Sequence, residues 1–199
     1  VHNAEDQIRG EAATLPFFSN GQYHNAMVIR IAGLAYQRGF GGHFHNDNSF
    51  AVFRDIPGIV LLCPSNGHDA VLLLRQAVQL AHQQKRLVIM LEPIALYMTR
   101  DLAETGDGGW LCHYPEPQAP VPPLGMPAVY GEGRDLAIIS YGNGYYLSRQ
   151  AELELRLQQY RIRVIDLRTL VPLHIEHIIT ALHGCNKVLI VDECRRRGS

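Results

Sequence analysis

Short apolar runs alternate with helix-like segments along this chain, and that alternation limits the folds available to it. Strand-like runs occupy residues 25–33, 58–65 and 86–93, and a helix-like segment runs from Asp69 to about residue 84. Ser65 or Asn66 can cap that helix, with Asp69 in its first turn. These runs are apolar throughout rather than alternately polar, which is typical of parallel strands covered by helices on both faces. The first part of the chain therefore predicts an α/β unit built on a parallel sheet.

The same alternation returns in the last third of the chain. Residues 134–142, 161–167 and 187–194 predict strands, and the segments 143–160 and 174–184 between them predict helices. The connections are only a few residues long, which again requires a parallel sheet with crossover helices. We expect a second α/β unit whose sequence does not repeat the first.

The stretch between the two units is rich in proline and glycine, and its apolar residues show neither helical nor strand spacing. Such composition predicts a connecting segment. We therefore divide the chain into a first domain at residues 1–100, a Pro-rich linker at 101–127 and a second domain at 128–199. The pattern begins inside a helix-like stretch and stops soon after an apolar strand, so we expect a fragment truncated at both ends.

Charge and hydropathy exclude several classes of protein. The net charge is -1 and the only basic run is the triplet at 195–197, which argues against nucleic-acid binding. The apolar runs are far shorter than the roughly 20 residues that a membrane span needs. Four scattered cysteines without a CxxC pair indicate reduced thiols. We expect a cytoplasmic or organelle-matrix protein.

The stretch GGHFHNDNSF at residues 41–50 holds the candidate chemistry. His43 and His45 are two residues apart, so an extended backbone would point both to one side. A metal site needs further ligands and only Asp47 is nearby, so we assign no metal. Two interpretations remain: a solvated polar loop, or a histidine that exchanges protons at the carboxyl end of a parallel strand.

The run HNDNSFAVFRDIPGIVLLCPSNGHDAVLLL resembles the active-site region of the beta subunits of thiamine-diphosphate-dependent 2-oxo-acid dehydrogenases. The later segments LEPIALY, GEGRDLAIISYG, VIDLRTLVPL and KVLIVDE resemble further segments of that family in the same order. The resemblance implies a partial pyrimidine-binding domain of the transketolase-like superfamily. It also implies that the first part of a transketolase C-terminal-like domain follows.

The resemblance also implies a function and a site. It makes the chain part of the component that decarboxylates a 2-oxo acid, such as pyruvate or a branched-chain 2-oxo acid, and transfers the acyl group to lipoamide. His45 falls on the family's active-site histidine. His43, Asn46 and Asp47 are then expected to contact substrate, although Asn46 and Asp47 stand where the family has Ser and Gln.

The implied cofactor is thiamine diphosphate with magnesium, bound jointly with an alpha subunit or domain. Its main contacts are expected upstream of Val1 and in that partner, so no cofactor-binding residue is assigned here. The other implied partners are a second beta subunit and the lipoyl domain of the acyltransferase core. Two alternative functions stay open: a noncatalytic beta-like interaction subunit, and a ketol transferase similar to transketolase or deoxyxylulose-phosphate synthase.

Other polar and sulfur-bearing residues have simpler interpretations. We expect Cys63 to be a buried apolar residue. Glu92 is expected to make a polar contact at the end of its strand. Asp166 and Arg168 are expected to form a turn network that positions their loop.

Overall fold

The computed structural model describes residues 2–34, 48 and 50–193, and within them two four-stranded sheets organise the chain. The amino-terminal stretch is helical in short pieces: a 3-10 turn at His2–Ala4, α1 at Glu5–Gln7, a π-helical stretch at Ile8–Ala13 and α2 at Leu15–Phe18. The later α-helices are α3 (Ala51–Arg54), α4 (Gly67–Gln84), α5 (Gly142–Leu157) and α6 (Ile175–Leu182). The strands are β1 (Met27–Gly33), β2 (Ile59–Leu62), β3 (Leu87–Pro93), β4 (Ala128–Tyr130), β5 (Leu136–Ser140), β6 (Ile162–Asp166), β7 (Thr169–Val171) and β8 (Val188–Ile190).

The first sheet has the strand order β1-β3-β2-β7. Strands β1, β3 and β2 are parallel, which confirms the predicted parallel sheet. The fourth strand, β7, is antiparallel to β2 and comes from the second half of the chain. A further main-chain bond, from the N–H of Cys63 to the carbonyl of Arg168 at 2.8 Å, extends this pairing. The edge strand of the first sheet, β7, is thus contributed by the second half of the chain.

The second sheet has the order β4-β6-β5-β8. Strands β6, β5 and β8 are parallel, as predicted, whereas the short β4 runs antiparallel to β6. Both sheets are therefore mostly rather than wholly parallel. The two antiparallel edge strands, β4 and β7, have only three residues each, and no periodic pattern marks them in the sequence.

Both faces of the first sheet are covered, which explains why its strands are continuously apolar. The residues of β2 alternate between the two faces: Val60 and Leu62 meet α4, while Ile59 and Leu61 face a separate cluster that includes Phe53 of α3. Helix α4 begins where the sequence predicts, because the Asn66 side chain accepts the N–H of Asp69 at 2.9 Å and caps the first turn.

Residues 101–127 lack a helix but are anchored at several points. The Asp107 carboxylate accepts four backbone N–H groups of its own loop. Trp110 is buried against the rings of Tyr145 and Tyr146 at the start of α5. Arg75 of α4 donates to the carbonyls of Pro115 and Glu116. This segment contacts both units, and the division of the chain at residues 100 and 128 stays a prediction.

No helix in the described part of the chain combines the length and apolar character that a bilayer crossing requires.

Candidate functional site

The carboxyl edges of the two sheets meet where α5 begins. Gly142 opens α5 directly after β5, and its N–H donates to the Ser65 hydroxyl beyond β2 at 2.7 Å. A Cβ added at Gly142 would lie 3.2 Å from Pro93 and 3.3 Å from the Cys63 sulfur, and its φ of +54° is in the left-handed region. Both space and conformation therefore favour glycine at this position. Ligands of open α/β sheets bind outside the carboxyl ends of strands, so this junction is the candidate site.

The residues predicted to act on substrate, His43, His45, Asn46 and Asp47, lie outside the described residues. The residues on either side of them are described. Leu34, which follows β1, is buried in the core of the first unit. On the other side, the Asn48 amide donates to the backbone carbonyl of Glu193, beyond β8.

A further contact joins the second of these flanks to the junction. The Phe50 ring packs edge-on against Tyr141, the residue before α5, with ring centroids 5.9 Å apart. On the other flank, the Leu34 side chain lies 3.6 Å from the position that a Cβ on Gly142 would occupy, so both described flanks of the histidine segment lie beside the junction. The roles of the four residues between them stay predictions.

Asp166, at the end of β6, is a fully buried carboxyl group that faces this junction. Its Oδ1 accepts the Ser65 hydroxyl at 2.8 Å, while its Oδ2 has no hydrogen-bond partner among the described residues. Burial is the main cause that raises the pKa of Asp166 to about 8; Asp69 adds to the rise, and Ser65 and Arg168 oppose it. The neutral acid is therefore the main form of Asp166 near pH 7.

Arg168 ties the loop after β6 to the first turn of α4. Its guanidinium Nη1 lies 3.2 Å from the Asp69 carboxylate, and both side chains are nearly buried. Its Nη2 also donates to the Met126 carbonyl at 2.8 Å. The turn network predicted for Asp166 and Arg168 is thus present, but it extends to Ser65 and Asp69 of the first unit. The sequence marked those two residues only as part of a helix start.

Glu92 makes the end-of-strand contact that its position predicts. The Arg30 guanidinium donates to both carboxylate oxygens, and the Tyr97 hydroxyl donates to Oε2 at 2.6 Å. Burial alone would raise the pKa of Glu92, but the hydrogen bonds from Arg30 and Tyr97 lower it overall. Burial and the neighbouring carboxylate raise the pKa of Tyr97 to about 12. Glu92 is therefore an engaged carboxylate rather than a free acid or base.

A cavity of about 1290 Å³ lies between α4, the end of β3 and the segment 110–121. Its polar end carries Arg30 and Glu92, and Ser65 borders it at the junction of the sheets. The remaining wall is largely apolar and includes Ala70, Val71, Leu74 and Val78 of α4. Within residues 2–34, 48 and 50–193, no group of three or more His, Cys, Asp or Glu side chains is placed to hold a metal ion.

Residues 127–199 match the family described as the C-terminal domain of transketolase. The second unit is therefore similar to a transketolase C-terminal domain. The match covers the second sheet, α5 and α6, and it includes β7, which pairs with the first sheet. The matched range also contains Gly142, Asp166 and Arg168 of the junction.

Relatives of known name extend the comparison to the whole chain. The beta subunit of pyruvate dehydrogenase from Staphylococcus epidermidis is 29% identical over 99% of this chain and 55% of its own length. The beta subunit of 2-oxoisovalerate dehydrogenase from Bacillus subtilis is 31% identical over 98% of this chain and 55% of its own length. The predicted resemblance to such beta subunits is confirmed, and the chain spans about half the length of these relatives.

Solved structures confirm the predicted transketolase-like fold. A transketolase variant from Pichia stipitis superposes with a TM-score of 0.60 at 14% identity, covering 98% of this chain and 27% of that one. A split-gene transketolase, described as an inactive beta4 tetramer, gives 0.56 at 18% identity, covering 86% of this chain and 48% of that one. At these identities the likeness concerns the fold alone.

Proposed function

We propose that this chain is part of the decarboxylating component of a 2-oxo-acid dehydrogenase. That component releases carbon dioxide from a 2-oxo acid such as pyruvate or 2-oxoisovalerate, and passes the acyl group to lipoamide. The observation that carries the proposal is the similarity over 98–99% of the chain to beta subunits of pyruvate and 2-oxoisovalerate dehydrogenases. The meeting of two carboxyl edges at Gly142 supports it, since such an edge is where an α/β fold binds its ligand.

His45 is the proposed catalytic residue. It belongs to the segment whose described flanks, Leu34 and Phe50, lie beside Gly142 and Tyr141 at the junction. A neutral imidazole with a pKa near 6.5 can bind the substrate carboxylate or carbonyl and move a proton during acyl transfer. His43 and Asn46 offer hydrogen-bond donors for an anionic substrate, and Asp47 offers an acceptor, so these three are the proposed substrate contacts.

The proposed cofactor is thiamine diphosphate with magnesium, which stabilises the carbanion formed on decarboxylation. The described residues do not fit a magnesium–diphosphate site. The carboxylates at the junction are engaged already: Glu92 with Arg30, and Asp69 with Arg168, while Asp166 is buried. The proposal therefore places the diphosphate and its metal on an alpha subunit or domain.

The proposed assembly is a heterotetramer with an alpha subunit and a second beta subunit, visited by the lipoyl domain of the acyltransferase core. Strand β8 supports an assembly, since Val188, Leu189 and Ile190 are 48%, 48% and 76% exposed. Exposed apolar surface of this kind marks a contact with another protein segment. We place the assembly in the bacterial cytoplasm or the mitochondrial matrix.

The test is reconstitution of the complete beta subunit with its alpha partner. Carbon dioxide release from pyruvate and from 2-oxoisovalerate is measured, together with acyl transfer to an isolated lipoyl domain. His45→Ala is expected to slow acyl transfer by about 10² or more, the usual contribution of a positioned acid–base group. His82→Ala, an exposed histidine on α4, is the matched control and should retain full activity.

Two results would contradict the proposal. Stable assembly without decarboxylation would instead indicate a noncatalytic beta-like subunit. Ketol transfer between sugar phosphates, without decarboxylation of a 2-oxo acid, would indicate a transketolase-like enzyme.

A further inference from the structure

One hydrogen-bonded chain crosses between the two units at the junction. The Gly142 N–H donates to the Ser65 hydroxyl, and that hydroxyl donates to Oδ1 of Asp166. Ser65 belongs to the first unit, whereas Gly142 and Asp166 belong to the second. All three residues are buried, so water does not replace these bonds if one is lost.

We propose that the Ser65–Asp166 contact holds the amino-terminus of α5 against the carboxyl edge of the first sheet while the buried carboxyl group is uncharged, and that ionisation of Asp166 loosens this end of the helix by bringing a charge into the buried junction. The contact goes beyond the proposed function, because it sets the geometry of the junction whichever reaction takes place there. Its effect on turnover, and only that effect, rests on the proposed function.

The chemistry of the carboxyl group explains the dependence on a proton. Oδ2 of Asp166 is buried without a partner, so ionisation would place a negative charge beside the Asp69 carboxylate. The guanidinium and the backbone N–H of Arg168 both favour the ionised form of Asp166, but the guanidinium is already paired with Asp69, and burial outweighs these contributions. The other titratable groups around it are the Cys63 thiol and the Tyr145 phenol, and burial raises the pKa of both above the ordinary values.

The direction of the pH effect follows from the raised pKa of Asp166. The folded protein keeps this proton up to about pH 8, whereas an ordinary aspartate loses it near 3.8. The contribution of protonated Asp166 to the free energy of unfolding is therefore complete below the ordinary pKa of aspartate. It falls as the pH rises toward about 8 and is lost above that pH. The amino-terminus of α5 is expected to loosen over the last part of that window.

The fluorescence of Trp110 can report this loosening of the amino-terminus of α5. Trp110 is the chain's single tryptophan, it is buried, and its ring lies 5.8 Å from that of Tyr145 and 4.9 Å from that of Tyr146. Both tyrosines are among the first five residues of α5, so a shift of this end of the helix changes the surroundings of the indole. The thiol of Cys112 contacts the Trp110 carbonyl and can quench the emission, so the experiment uses a Cys112→Ser background.

The experiment follows Trp110 emission of the 199-residue chain from pH 6 to pH 9.5, with circular dichroism to show that the fold persists. The parent protein should show a transition centred near pH 8. Asp166→Asn should abolish it, because an amide cannot ionise. Ser65→Ala should move the midpoint to higher pH, because the hydroxyl that stabilises the ionised form is gone.

Ser148→Ala is the matched control. Ser148 is also a buried serine, but its hydroxyl donates to the Gly144 carbonyl within α5 and does not reach the first unit. Its midpoint should equal that of the parent protein. A merely structural loss of a hydroxyl would lower stability without moving the midpoint, so the two serine variants separate the explanations.

An unchanged transition in Asp166→Asn would overturn the proposal, and so would a Ser65→Ala midpoint equal to that of Ser148→Ala. If Asp166→Asn does not fold, the comparison of the two serine variants still decides. A shifted midpoint combined with a fully active His45→Ala enzyme would leave this contact standing and refute the proposed function.

Discussion

Replacing Arg168 by methionine should destabilise the protein more than removal of any exposed ion pair. Arg168 and Asp69 have side-chain exposures of only 11% and 8%, and their charged atoms are 3.2 Å apart. Methionine keeps much of the side-chain volume but removes the charge, so Asp69 keeps only the hydrogen bond from the Asn66 amide. Removing one partner of a buried pair costs about 3–5 kcal/mol. The Met126 carbonyl also loses its donor.

The free energy of unfolding is measured by urea denaturation for a double-mutant cycle. The double variant, Asp69→Asn with Arg168→Met, removes both charges. Its loss of unfolding free energy should therefore be smaller than the sum of the losses in the two single variants. Arg161→Met is the matched control, because its partnership with Asp135 is solvent-exposed, with side-chain exposures of 69% and 29%. The reasoning is refuted if Arg168→Met costs no more than Arg161→Met, or if the two single losses simply add.

Two further predictions concern the core of the first unit and the segment between the units. Phe53→Ala should lower the free energy of unfolding by about 3–5 kcal/mol, since the side chain is 1% exposed; Phe17→Ala, at 81% exposure, should change it little, and equal losses would contradict the assigned core. Asp107→Asn should make residues 101–110 more sensitive to thermolysin at pH 7, because the carboxylate accepts four backbone N–H groups that hold its pKa well below the usual range. The ionised form therefore stabilises the loop above the ordinary carboxyl pKa, and that support is lost as the pH falls through the lowered value. Unchanged cleavage at pH 7 would show that the loop does not depend on Asp107.

The sequence predicts best what is decided locally. The apolar runs of β2 and β3 and the spacing of α4 predict a covered parallel sheet, and the cap at Asn66 marks the start of α4. The buried, small-residue interpretation of Cys63 is likewise confirmed, at 0% exposure. Each of these features depends on neighbours within a few residues along the chain.

Features that depend on distant partners are invisible to the same reasoning. Strand β7 has three residues, and its partner Leu61 lies more than a hundred positions earlier in the chain. Ser65 and Asp166 are 101 residues apart, and neither carries a pattern that points to the other. The segment around His45 was identified from a family resemblance, and its role stays a prediction.

The pairing of β7 with β2 also bears on how the protein is made. All four residues of β2 are buried, and one edge of that strand is closed only by Thr169–Val171. Residue 62 leaves the ribosome long before residue 169, so the edge of β2 that pairs with β7 is unpaired during synthesis. Open strand edges of that kind recruit other chains. A nascent chain that stalls before residue 169 would therefore tend to aggregate, even with every other strand of its first sheet complete.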